Sequence, residues 1–284
     1  MKGYHYLNMT YIFYFSIPTS ALSDVTIKSP LGTSVIFSEK INGANYYFDA
    51  WRALSFNGNG YVIDLGIKDR YFTEDGSTKV SPSGRYLILN SISGGYISDE
   101  GEEKEYVDKA HCSIVDMKNG CYVSDWEGDA CGYDWKKNED VLENSQGTDT
   151  FDFKSLRPTI KNVKDNLASL NKLTVKRYLR CDAPDNDNIN TYQELVRKNK
   201  ESKSIVNEYI LNYVRGIKSE KKISKKSYLF LSPDDNSKTS AYLVTGDKVK
   251  VIQTSKDNNW INIGYINSKG VPLVAWIMAD SLEK

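Results

Sequence analysis

The chain has 284 residues, enough for two modest domains with a core each. Its 37 basic and 37 acidic residues cancel, so no global field draws it to nucleic acid or an anionic membrane. Tyrosine is abundant, at 20 residues, and Ala and Met are scarce, a composition that leans toward β structure.

The opening residues, MKGYHYLNMTYIFYFSIPTSALSD, carry an early positive charge at Lys2, an apolar run over 11–17, a breaker at Pro18 and small residues at Ala21 and Ser23. That order is the layout of a secretory signal over 1–23, with a mature chain starting at Asp24. The run is too short to span a bilayer; the alternative is a buried N-terminal strand.

From residue 25 to about 142 short strands alternate with turns. The expected strands are SVIFSE, NYYFDAW, GYVIDLGI, GRYLILNSI, HCSIVDM and GCYVSDW. Pro82 followed by Gly84 sets a tight turn, and Asn119-Gly120 favours a hairpin with positive φ. The stretch VSPSGRYLILNS followed by CSIVDMKNGCYVSDW resembles one blade of a β-propeller. A full propeller needs several blades of about 40 residues, so the resemblance implies a blade-like sheet or a small sandwich. Residues 99–108, DEGEEKEYVD, form an acidic run that reads as a solvated loop, with Glu102, Glu103 and Glu105 available to a basic partner.

Four cysteines lie beyond the leader, at Cys112, Cys121, Cys131 and Cys181. In an exported chain an even count reads as disulfides, and four allow three pairings. The reading favoured here is Cys121 with Cys131 across a short loop and Cys112 with Cys181. Zinc is the rival, but no C-x-x-C pair is present.

Past residue 153 the period changes. Ile160, Val163, Leu167 and Leu170 predict an amphipathic helix near 158–171, and KLTVKRYLRC then reads as a further strand. The segment 182–190 concentrates turn formers; its Asp182, Asp185 and Asp187 lack the central glycine and distal glutamate of a calcium loop. Thr191 with Glu194 forms a capping box opening a helix near 191–217, whose apolar stripe packs on the β layer. The charged segment 215–226 reads as a linker separating a β-rich domain, 24–214, from a terminal module.

That module, 227–284, contains SYLFLSPDD, then AYLVTGDKVKVIQTSKDNNWINIGYI, then VAWIMADSL. The order of motifs resembles the bacterial SH3-like domain family, with a Gly246-Asp247 turn, a Trp260 strand and a closing Trp276-Ile277 pair. Ala275 stands where the family pattern has glycine. The resemblance implies a small β-barrel and a role in binding cell-wall peptides or proteins. Trp260 and Trp276 either fill the barrel or anchor a ligand; Tyr242 and Tyr265 are further binding candidates. The fold class expected is mainly β with a helical segment (α+β).

Chemistry is sparse. Beyond the leader His111 is the only histidine, which argues against Ser-His and Cys-His schemes, and the single GNG at 58–60 is a turn. No catalytic residue, cofactor or metal is assigned. The sequence thus reads as an exported, non-enzymatic envelope binding protein, periplasmic or secreted, whose partner is a protein or peptidoglycan. A narrower reading is an immunity protein that neutralises a secreted antibacterial toxin, and a third is a wall hydrolase with an SH3-like targeting module.

Overall fold

The computed structural model describes residues 24–41, 49–58, 60–74, 78–97, 105–127 and 132–283. The segment 1–23 expected as a leader, Glu102, Glu103 and Cys131 lie outside the described residues.

The chain is mainly β, with a helical layer between two β regions. The first region is a nine-stranded antiparallel sheet. Its strands are β1 (Val25–Lys28), β2 (Ser34–Ile41), β3 (Ala50–Gly58), β4 (Tyr61–Asp64), β5 (Tyr71–Thr73), β6 (Lys79–Val80), β7 (Tyr86–Ile97), β8 (Glu105–Asp116) and β9 (Cys121–Glu127). The ladder runs β1-β2-β3-β5-β7-β8-β9, with β4 on β3 and β6 on β7. The sheet curls round a core that includes Phe37, Trp51, Leu54, Phe56, Phe72, Leu87, Leu89 and Val115. Its rim closes where Thr33 Oγ1 donates to the Met117 carbonyl at 2.6 Å and Ser29 Oγ to that of Gly84 at 2.6 Å. Gly84 answers two demands: its φ is +77°, and a Cβ there would stand 2.4 Å from Pro30 Cδ. The predicted Asn119-Gly120 turn is present, with the positive φ at Gly120.

The outer face of β7–β9 carries Tyr86, Ile88, Ile114 and Val123. It is covered by a small sheet of β10 (Tyr133–Trp135), β11 (Leu142–Asn144) and β12 (Thr150–Phe151), and by Phe153 from the 3-10 turn Phe153–Leu156. Tyr86 and Phe153 meet edge-on with ring centroids 4.9 Å apart.

The helical layer departs from the sequence reading in four ways. The segment Ile160–Ser169 is a run of 3-10 turns, broken at Val163 and Asn166, where φ and ψ leave the helical region. Residues expected as a strand form α1 (Lys172–Cys181), because Asn171 Oδ1 accepts the Thr174 amide and Val175, Tyr178 and Leu179 share one face. The single helix expected at 191–217 is two helices, α2 (Ile189–Lys198) and α3 (Lys203–Gly216). They part at Asn199, whose side chain donates to the carbonyls of Leu167 and Leu170 and accepts from the Ser202 amide. The Thr191–Glu194 capping box does not form: α2 starts earlier, and Thr191 is buried inside it.

The second β region is a six-stranded antiparallel sheet of β13 (Glu220–Lys222), β14 (Ser227–Phe230), β15 (Lys238–Leu243), β16 (Lys248–Thr254), β17 (Trp260–Ile266) and β18 (Pro272–Met278), in the order β13-β16-β17-β18-β14-β15. Residues 215–226, expected as a linker, therefore hold the end of α3 and the edge strand β13, paired with β16. The small barrel expected here is an open sheet, because one face of β17 and β18 is closed by helices instead. Val274 packs into the helical core with Val206, Ile210 and Val214. Gln193 Oε1 accepts the Val274 amide at 2.9 Å, and Asn190 Oδ1 accepts from Asn262 Nδ2 at 2.9 Å. Gly264 is needed at this contact, since a Cβ would lie 2.8 Å from both methyls of Val214. The opposite face holds Leu229, Val249, Ile263 and Ile277.

Candidate functional site

The pairing of the cysteines corrects the sequence reading and locates the site. Cys121 is bonded to Cys181, 60 residues away, joining β9 to the end of α1. Cys112 is also disulfide-bonded. Proximity in sequence favoured Cys121 with Cys131; the fold instead lays the last turn of α1 against β9.

The residues next to this bond, Tyr122 and Arg180, both line a cleft of about 730 Å³ between the sheet and the helices. One wall is β4 and the turn after it, with Tyr61, Val62 and Asp64; the other is α1 and α3, with Leu173, Arg177 and Tyr209. The floor is fixed by Tyr122, whose hydroxyl donates to the Leu65 carbonyl at 2.8 Å and whose pKa burial pushes upward. The mouth is apolar: Tyr61, Val62 and Leu173 are 42%, 67% and 77% exposed.

Charge in the cleft is one-sided. Lys176, Arg177 and Arg180 line it from α1, while the sheet contributes Asp64 and Asp125. Asp125 is already engaged, accepting from Arg70 Nη1 and from Ser113 Oγ, each at 2.7 Å. Asp64 Oδ1 accepts the Gly66 amide at 2.7 Å. Arg180 is half-buried, and its Nε has no hydrogen-bond partner among the described residues. Burial lowers its pKa, the nearby Arg177 lowers it further, and tyrosines rather than carboxylates provide the opposing influence. The cleft therefore presents an uncompensated cation beside apolar surface.

The predicted binding residues divide. Trp260 and Trp276 are each 7% exposed and pack with Phe230, whose ring centroid lies 4.7 Å from that of Trp260. They are core, so neither is a surface anchor. Tyr265 is half-buried against the terminal core. Tyr242 is exposed and sits beside Tyr228, with Lys226 Nζ 4.2 Å above the Tyr242 ring and Lys238 Nζ 3.9 Å above Tyr228. Glu105 opens β8 opposite Ile97. The loop at Asp182, Asp185 and Asp187 is a turn: Asp182 accepts the Ile160 amide and an Asn188 side-chain amide, and Asp185 accepts the amides of Asp187 and Asn188.

Two features escaped the sequence reading. The basic face of α1 was hidden once that segment was taken for a strand; Asn171 followed by Val175, Tyr178 and Leu179 was the signal for a helix. His111, the one histidine among the described residues, has Nε2 2.7 Å from Ser93 Oγ across β7 and β8. No protein-family model, curated protein or solved structure matches the chain.

Proposed function

We propose that the protein is an exported, non-enzymatic binding protein of the bacterial envelope, with an SH3-like terminal module, that recognises a protein partner through the α1–β4 cleft. The observation that carries this is the cleft itself. The Cys121–Cys181 bond ties β9 to the end of α1 next to the lining residues Tyr122 and Arg180, and the cationic wall has no internal counter-charge at Arg180 among the described residues. A rigid concave surface with convergent polar groups and an apolar rim is built for recognition. The disulfides fit an oxidising compartment. Immunity to a secreted toxin is the specific version of this reading, in which the cleft receives an acidic element of the toxin.

The test is capture from envelope extracts and from lysates of competing strains by the chain from Asp24 onward, beside an Arg177→Gln/Arg180→Gln form. One dominant partner lost with the double variant supports the reading. Sedimentation with purified peptidoglycan, with no protein captured, overturns it in favour of wall binding.

A second reading, a hydrolase of wall polymers, rests on Ser93 and His111, whose 2.7 Å contact has the spacing that a serine nucleophile and its base require. It predicts release of soluble fragments from wall polymers that ceases in Ser93→Ala.

A further inference from the structure

We propose that the cleft is a carboxylate-recognition site: Arg180 and Arg177 receive an acidic side chain from a non-extended turn of a protein segment, and Tyr61, Val62 and Leu173 receive its apolar neighbours. This rests on the reading of the cleft as the recognition site and names what that site selects.

A guanidinium withdrawn from water without a partner is unfavourable, so buried cations are ordinarily paired. Arg180 is not paired among the described residues, and its own backbone is held fast. The Arg180 carbonyl accepts from Asn119 Nδ2 at 2.7 Å, and the next residue is bonded to Cys121. The backbone that carries the side chain is thus anchored, its buried Nε has no partner among the described residues, and the residue lines a cleft large enough for a ligand.

Electrostatics select the sign of that ligand. Of the carboxylates facing the α1 cations from the sheet, Asp125 is bound to Arg70 and Ser113, and Asp64 is tied to the Gly66 amide. Among the described residues no ion pair joins either aspartate to an α1 cation, and an incoming carboxylate suits a guanidinium edge, which donates two parallel N–H bonds. The apolar mouth selects the rest. A free inorganic anion leaves Tyr61, Val62 and Leu173 uncovered, whereas an acidic residue between two aliphatic ones covers them while its carboxylate reaches the floor.

The experiment titrates the full chain from Asp24 with the blocked peptides acetyl-Leu-Glu-Leu-amide and acetyl-Leu-Gln-Leu-amide, followed by calorimetry and by amide chemical shifts. The glutamate peptide binds at least tenfold more tightly, weakens as salt is raised, and loses its binding in Arg180→Gln, with shifts confined to residues around Tyr61, Tyr122 and α1. Arg180→Met serves as the folding control: it keeps the native circular dichroism, melts no lower than the parent, and does not bind. If that form fails to fold, Arg177→Gln carries the same expectation, a several-fold loss. Equal binding of the two peptides, undiminished binding by a folded Arg180 variant, or binding of inorganic phosphate without the peptide overturns the proposal. The outcomes separate from those of partner capture. A partner retained by Arg180→Gln defeats this inference alone; selective peptide binding with no envelope partner defeats the functional reading alone.

Discussion

Replacing Cys121 and Cys181 together by alanine tests the link between the sheet and the helical layer. The bond closes a loop of 60 residues, and the chain-entropy relation assigns such a crosslink about 4 kcal/mol through the denatured state. That is a large share of the 5–15 kcal/mol by which domains are ordinarily stable. Alanine is preferred to serine because the sulfurs lie at buried positions, 0% and 6% exposed, where a hydroxyl would need a partner. Cys112 keeps its own bond in this variant, so the comparison isolates one crosslink in a way that reductant does not. Guanidinium unfolding followed by tryptophan fluorescence and far-ultraviolet circular dichroism reads the loss. Hydrogen exchange places it: amides of β9 and α1 lose protection first, while β17 and β18, held by the helices on one face and their own core on the other, keep theirs. A loss below about 1 kcal/mol would refute the reasoning, since it would mean that packing alone holds α1 against β9 or that the denatured state is already confined.

Four further outcomes are expected. Gly264→Ala drives a Cβ to 2.8 Å from both Val214 methyls and costs about 1–3 kcal/mol by thermal melting, much of it recovered when Val214→Ala is added. Asp116→Ala leaves Arg85 and Arg157 without the buried carboxylate they share and costs about 3–5 kcal/mol in denaturant titration. Trp276→Ala costs about 3–5 kcal/mol, as a core truncation does, and leaves peptide affinity unchanged in the folded fraction. Asp257 is held below the usual carboxylate range, first by the Ser255 hydroxyl and then by the Asn259 amide. Because its folded pKa is the lower one, its contribution is present above the unfolded pKa and lost as pH falls through the folded one. Asp257→Asn is thus less stable than the parent at pH 7, and the gap closes in acid; a gap independent of pH would remove this account.

The β region was legible because its turns carry chemistry. The Ser81–Gly84 turn and the Asn119-Gly120 hairpin sit where proline, asparagine and glycine placed them, and the apolar alternation of LILNS and CSIVD follows into β7 and β8. The helical region was less legible because two periods fit the same letters. In KLTVKRYLRC the apolar residues Leu173, Val175, Leu179 and Cys181 all fall on odd positions, as in a strand, while Val175, Tyr178 and Leu179 also make a helical stripe. Leu173 separates the alternatives: a strand would bury it beside Val175, and it is 77% exposed. Burial on both faces likewise obscured the terminal sheet. Trp260, Asn262 and Gly264 face the helices or the Phe230 cluster, while Ile263 and Ile277 fill the opposite core, so the alternation alone left the tryptophans as either filling or anchors.

The cleft was hidden for a different reason: it belongs to no segment. Tyr61, Tyr122, Arg180 and Tyr209 are distant in sequence, and each has an ordinary local explanation as a strand or helix residue. What makes them a site is the placement of one layer on another, and that placement is set by the Cys121–Cys181 bond together with the Arg157–Asp116 and Asn119–Arg180 contacts around it. These ties hold the end of α1 against β9, next to the lining residues Tyr122 and Arg180, while the mouth carries the exposed side chains Tyr61, Val62 and Leu173. A fold that only needed to fill this space would place a carboxylate or an aliphatic residue at 180, since either is cheaper than an unpaired guanidinium. On the reading proposed above, the arginine answers to what enters the cleft, and the neighbouring crosslink and the Asn119 contact anchor the backbone that carries it.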